Sequence, residues 1–207
     1  MTTIYQIVRH VVHKTVRRIR KENEDRVFYR DLDGIPLISL MEYFPLNATD
    51  VTDTPERQRN REVVWCFKDA QPTDKKYAVI VKEVLAKFED IIRRLFDDVS
   101  DITLVYIPSD KDTSRRRWKR FSRQLAMRLG CENGFRHLRQ ERDSVPRHNI
   151  GGRGKPRKLI VDKDYFRGKR VIIVDDLVNT CRTMRNAIHC LSRAGAEVVC
   201  CLTLATT

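Results

Sequence analysis

Two adjacent carboxylates, Asp175 and Asp176, stand directly behind four consecutive β-branched residues, Val171, Ile172, Ile173 and Val174, and ahead of Asn179-Thr180-Cys181-Arg182-Thr183. An ionised carboxylate only accepts hydrogen bonds, so side-by-side acids suit the hydroxyls of a sugar diol. Hydroxyl side chains and free backbone N–H groups at a helix start suit a monophosphate. A second cluster, Pro108-Ser109-Asp110-Lys111, closes another apolar run, and Arg115, Arg116, Arg117, Lys119 and Arg120 follow it. Guanidinium groups bind phosphate oxygens in pairs, which fits a more highly charged diphosphate.

Such residues need elements to carry them. The uninterrupted run Val171–Val174 predicts a strand buried on both faces, as in a parallel sheet covered by helices. In such sheets ligands collect at the carboxyl ends of the strands. Met184, Ala187, Ile188 and Leu191 give a helix after the turn, stopped at Ala194-Gly195. Glu197 to Leu204 reads as a final buried strand. Upstream, Val81, Val84, Leu85, Phe88, Ile91, Ile92 and Leu95 mark one face of a helix over 77–96. Ile102 to Ile107 is a strand, and a helix runs on to Gly130. This alternation of helix and strand predicts an α/β domain with a mainly parallel sheet.

The remaining segments are less regular. Ile4 to Ile19 carries an apolar helical face, read as a helix docked on the body or, alternatively, as a basic arm for a membrane surface or nucleic acid. His10 and His13 on it have no third ligand nearby, so a metal site there is a weak reading. Val27 to Phe44, with a turn at Asp31-Leu32-Asp33-Gly34, reads as a hairpin. Asn47 to Gln58 reads as a loop, and Val63 to Lys68 as a short apolar segment. Arg136 to Lys158, rich in Arg, Gly and Pro, reads as a long mobile loop. The division expected is an N-terminal helix-and-hairpin appendage or hood over 1–60 and an α/β domain over 61–207.

The chain has 207 residues, 41% of them hydrophobic, enough for a substantial core. With 41 Lys and Arg against 28 Asp and Glu, its net charge of +13 favours anionic partners, a polyphosphate metabolite or nucleic acid. No run of about 18 apolar residues predicts a membrane span. Arg9, His10, His13 and Lys14 break up the N-terminal apolar residues, against a secretory signal. The six cysteines, Cys66, Cys131, Cys181, Cys190, Cys200 and Cys201, make no Cys-x-x-Cys pair. A reduced, cytoplasmic protein is the expectation.

VIIVDDLVNTCRTM closely resembles the signature of type I phosphoribosyltransferases: apolar strand, two acids, three residues, then Thr-Gly-x-Thr. AGAEVVCCLTLATT, the Trp65-Cys66-Phe67-Lys68 segment and the Ile107-Pro108 strand end resemble the branch related to the competence protein ComF. The resemblance spans roughly residues 63–207. It implies that Asp175 and Asp176 grip the ribose hydroxyls of 5-phosphoribosyl-1-diphosphate (PRPP) and that Asn179, Thr180, Cys181, Arg182 and Thr183 wrap the 5′-phosphate. By the same resemblance Pro108, Ser109, Asp110 and Lys111 form the diphosphate loop, Arg139 to Lys158 a lid, and Mg²⁺ accompanies the substrate. The implied reaction displaces diphosphate from the anomeric carbon by the nitrogen of an amine or base acceptor.

Several positions depart from the family pattern. Cys181 stands where the family has glycine. A left-handed backbone there would cost a side chain about 1–2 kcal/mol; a helical backbone would accept cysteine freely. Residues 1–60 contain no cysteine, so the four-cysteine zinc module that often precedes the ComF-related branch is missing. Trp118 and Phe121 among the arginines leave base stacking open, against a plain solvated helix face. Two further functions therefore stand beside the transferase: single-stranded DNA binding or uptake, and PRPP sensing without turnover.

Overall fold

The structure, a computed structural model, describes residues 27–46, 52–69, 75–108, 112–141 and 158–207. The expected N-terminal helix, His10 and His13, Ser109–Lys111 and residues 142–157 lie outside it. In chain order the elements are β1 (Phe28–Leu32), β2 (Ile35–Glu42), α1 (Pro55–Asp69), α2 (Lys75–Leu95), β3 (Ile102–Tyr106), α3 (Asp112–Leu129) and β4 (Glu132–Asn133). They continue as β5 (Leu138–Gln140), β6 (Leu159–Val161), the single turn α4 (Lys163–Phe166), β7 (Arg170–Val178), α5 (Arg182–Arg193) and β8 (Glu197–Thr206).

Six strands form one sheet in the order β1-β2-β8-β7-β3-β4. Every neighbouring pair is parallel except the β1–β2 hairpin. The sheet is therefore mainly parallel and flanked by helices, as the alternation of elements predicts. The hairpin turns on Asp33 and Gly34, both at positive φ (56° and 86°), the backbone that two-residue Asp-Gly turns adopt. The Asp31 carboxylate accepts from the Gly34 N–H at 2.7 Å. The hairpin belongs to the main sheet, because β2 pairs with β8; there the buried Ser39 and Thr203 hydroxyls share a 2.7 Å hydrogen bond.

Strand alternation sorts the core into two layers. Ile172 and Val174 of β7 join Leu104 and Tyr106 of β3 and Cys200, Leu202 and Leu204 of β8 beneath α1, α2 and α3. Val171 and Ile173 point the other way, joining Val105, Cys201 and the Met184, Ala187 and Leu191 face of α5. Both faces of β7 are thus covered, which is why its sequence is continuously apolar. All six cysteines are free thiols. No helix among the described residues is long and apolar enough to cross a membrane.

Four local expectations are corrected. The polar stretch 47–58 is not loop throughout: α1 begins at Pro55, with Thr54 Oγ1 accepting from the Arg57 N–H at 3.3 Å. Thr-Pro-Glu is a helix-start signal, a capping hydroxyl followed by a proline whose missing N–H costs nothing there. The apolar segment Val63–Lys68 is the end of that helix. Within the expected mobile loop 139–158, Arg139 and Gln140 lie in β5, paired antiparallel with β6. Finally, Trp118 and Phe121 are 2% and 1% exposed and pack edge-to-face on Phe67, so they are core residues and cannot stack on bases.

Candidate functional site

The acid pair lies inside the second half of β7 rather than beyond it. The β3–β7 register ends at Tyr106 opposite Val174, and the Ile107 N–H donates to the Val174 carbonyl at 3.0 Å. Pro108 therefore begins the next loop beside Asp175. On the other flank Asp175 pairs with Thr203 of β8. The acids, the start of the β3–α3 connection and the start of α5 meet at the carboxyl edge of the sheet, where open α/β sheets bind ligands.

Alternation turns Asp176 to the three-helix face. One carboxylate oxygen faces Lys68 Nζ of α1 at 3.6 Å and the other faces Arg117 Nη2 of α3 at 3.4 Å. The side chains of Arg117 and Asp176 are 6% and 15% exposed, so water screens this pair poorly. Arg117 also donates to the Lys68 backbone carbonyl and lies over the Phe67 ring at 5.2 Å. Burial drives the Asp175 carboxyl well above the usual carboxylate range, and the neighbouring Asp176 charge adds to the shift. The Asp176 N–H, donating to Asp175 Oδ1 at 2.8 Å, opposes it.

The turn after β7 leaves Asn179, Thr180, Arg182 and Thr183 exposed ahead of α5. Cys181 is the N-cap of α5, with φ 58° and ψ 4° and no side-chain capping bond. Of the two backbone forms left open for this position, the left-handed one is found, so the residue bears the strain that glycine avoids. Its side chain is 5% exposed and packs into the α5-side core. A cation from the sheet edge reaches the same turn: Arg30 of β1 donates to the Asn179 carbonyl at 3.2 Å and to the Thr207 backbone oxygen at 2.7 Å. Its Nη1 lies 3.7 Å from Cys181 Sγ.

Asp175, Asp176, Pro108 and residues 179–183 thus share one edge, while Ser109, Asp110 and Lys111 fall outside the described residues. Lys68, Arg117 and Arg30 also reach this edge, and sequence reasoning gave none of them its observed place: Arg117, expected with its neighbours to face a diphosphate, is buried against Asp176. Arg117 was one of several clustered arginines, Lys68 ended an apolar segment, and nothing local marked Arg30. Oxygen ligands are what Mg²⁺ prefers, and the two acids offer them. Lys68 and Arg117 already flank both Asp176 oxygens, which leaves them less free for a metal ion. No group of three or more His, Cys, Asp or Glu that could hold a metal by itself occurs among the described residues.

None of the curated proteins matches the sequence. Solved structures with a similar trace include adenine phosphoribosyltransferase from Thermoanaerobacter pseudethanolicus, 18% identical, covering 90% of this chain and 99% of that one with a TM-score of 0.41. Another is adenine phosphoribosyl transferase from Trypanosoma brucei in complex with AMP, pyrophosphate and ribose-5-phosphate, 14% identical over 82% of this chain and 83% of that one, TM-score 0.47. A third is phosphoribosylpyrophosphate synthetase from Mycobacterium smegmatis, at 12% identity, 94% and 78% coverage and TM-score 0.42. The functional reading rests on the site's own residues and on the family match. Over residues 119–207, a stretch that holds both acids, the 179–183 turn and the helix it opens, the chain matches the family model described as the phosphoribosyl transferase domain.

Proposed function

We propose that the chain binds PRPP and transfers its phosphoribosyl group to the nitrogen of an amine or base, releasing diphosphate. The observation that carries this reading is the meeting of the Asp175-Asp176 pair with the Cys181 turn at one sheet edge. Asp175 and Asp176 accept hydrogen bonds from the ribose hydroxyls, and the Asn179–Thr183 turn with the α5 N-terminus receives the 5′-phosphate. The C–O bond to diphosphate breaks with its electron pair leaving on diphosphate, a C–N bond forms at the anomeric carbon, and the nucleophile's proton passes to solvent. Positive charge grows on the ring as this happens, and the acids beside it stabilise that charge. Mg²⁺ arriving with the substrate would supply positive charge to the leaving diphosphate, with Asp175 and Asp176 the oxygen donors nearest to hand. The loop after Pro108 takes the leaving group, the segment between β5 and β6 acts as the lid that excludes water, and the parts of 1–60 outside the main sheet contribute the hood that selects the acceptor.

A second reading, nucleic-acid binding as in the ComF-related branch, has one observation in its favour. Arg116, Lys119, Arg120 and Arg123 are exposed on one face of α3 and have no acidic partner among the described residues. With Trp118 buried, such binding would be to the phosphate backbone alone and would weaken steeply with salt. One experiment separates the readings: calorimetry with PRPP and Mg²⁺ beside a single-stranded DNA titration at two salt concentrations. The transferase reading expects PRPP binding in the wild type, its loss in Asp175→Asn/Asp176→Asn, and diphosphate release with an acceptor. An unchanged PRPP affinity in the double variant removes it. Binding of PRPP without release under a panel of bases and amines leaves a PRPP sensor in its place.

A further inference from the structure

The contact between Arg30 and the turn before α5 is the least expected feature of the site. Arg30 comes from the edge hairpin, 149 residues before Asn179, and lies outside the stretch matched by the family model. One nitrogen serves the Asn179 carbonyl and reaches Cys181 Sγ; the other serves the Thr207 backbone oxygen at 2.7 Å. Its guanidinium is thus committed to two backbone oxygens and a thiol, joining the turn to the end of β8.

We propose that Arg30 is a positioning residue that braces the 179–181 turn in its phosphate-receiving form and makes the left-handed Cys181 tolerable. The proposal rests on the reading of that turn as the 5′-phosphate site. A peptide group is planar and trans, so its carbonyl and the following N–H point in opposite directions. By fixing the Asn179 carbonyl towards β1, Arg30 fixes the Thr180 N–H away from it. The second hydrogen bond, to Thr207, ties the same guanidinium to the end of β8, beside β7. A planar fork with two anchored nitrogens holds a direction that a lysine ammonium on a flexible stem cannot. Cys181 has φ 58° without the conformational freedom of glycine and without a capping bond of its own. The brace acts at that strained point from outside, so the turn need not relax to a right-handed form that would redirect its N–H groups.

The test uses the full chain and two probes, ribose 5-phosphate and inorganic diphosphate, by calorimetry. The variants are Arg30→Lys, Arg30→Met, Cys181→Gly and Arg30→Met/Cys181→Gly. Both single changes at Arg30 should weaken ribose 5-phosphate binding about tenfold, which is about 1.4 kcal/mol, while diphosphate binding, on the far side of the acids, stays put. A general structural defect would move both probes together. In the Cys181→Gly background the same Arg30→Met change should cost clearly less, because glycine holds a positive φ unaided. Wild-type affinity in Arg30→Lys would show that charge alone matters and overturn the brace. An equal loss with and without Cys181 would overturn the link to the strained residue. If the wild type binds diphosphate but not ribose 5-phosphate, the phosphate-site reading falls first and takes the proposal with it.

Discussion

Replacing Arg117 by Met keeps most of the side chain's volume and removes its charge, which isolates what the guanidinium does for Asp176. At the observed 3.4 Å and an effective dielectric near 20, the gross attraction between the two charges is about 5 kcal/mol. Desolvation cancels much of that. Breaking a buried pair typically costs 3–5 kcal/mol, but Asp176 keeps Lys68 at 3.6 Å. A net loss of about 2–3 kcal/mol is expected, allowing for the lost charged hydrogen bond. In a chain of this size that lowers the melting temperature by about 4–12 °C. The assay is a double-mutant cycle by denaturant melts, with Arg117→Met, Asp176→Asn and the combination. Asp176→Asn needs no cation, so the double variant should be more stable than the two single losses add up to, by at least about 1 kcal/mol. Strict additivity, or an Arg117→Met protein that melts like the wild type, would refute the claim that this ion pair is a structural support of the site.

Asp175 offers a pH test. Its folded pKa lies above the ordinary value of 3.8, so between the two the native state holds the extra proton. Stability then falls as pH rises through that window. Asp175→Asn should therefore be more stable than the wild type at pH 7 and equal to it well below that window, even as ligand binding is lost; the same difference at both pH values in urea melts would count against the assignment. The His137–Asp162 pair has the opposite sign. The His137 hydrogen bond at 2.9 Å, followed by the Tyr165 N–H, lowers the Asp162 pKa, so its stabilisation is present above 3.8 and lost as pH falls through the folded value. Amide exchange at Leu138–Gln140 should speed up in acid in the wild type and lose that acid step in Asp162→Asn; an acid step that persists in the variant would show that another group opens the ribbon.

How far the sequence reveals the site depends on what each residue touches. β7 is legible because burial on both faces leaves a continuous apolar run, and the acids stand out against it. The α5 start is legible from its threonines and the apolar stripe that follows. The backbone of Cys181 was not, since the left-handed and helical forms are equally compatible with one cysteine in one heptapeptide; the neighbouring turn decides. Lys68, Arg117 and Arg30 were illegible for a different reason. Each reaches the site across tens of residues of chain, and a basic residue looks the same in sequence whether it faces water or a buried carboxylate. Trp118 misled because an aromatic between arginines suits a stacking surface, yet helical spacing from Phe121 and Leu125 equally suits a core face, and the core won. Thr54-Pro55 was passed over because the polar residues around it masked a start signal that needs only two positions.

The hydroxyl pair of Ser39 and Thr203 joins residues 164 apart in the chain. Closing a loop of that length costs about 4–5 kcal/mol of chain entropy before any contact repays it. The β1–β2 hairpin can form early, but its inner edge stays open until β8 arrives to fill the gap between β2 and β7. Such non-local parallel pairing makes for slow folding, and the waiting strand, Ile35–Glu42, is almost wholly apolar. A nascent or truncated chain lacking β8 would present that edge to its neighbours, so aggregation during synthesis, rather than weakness of the finished fold, is where this architecture is most exposed.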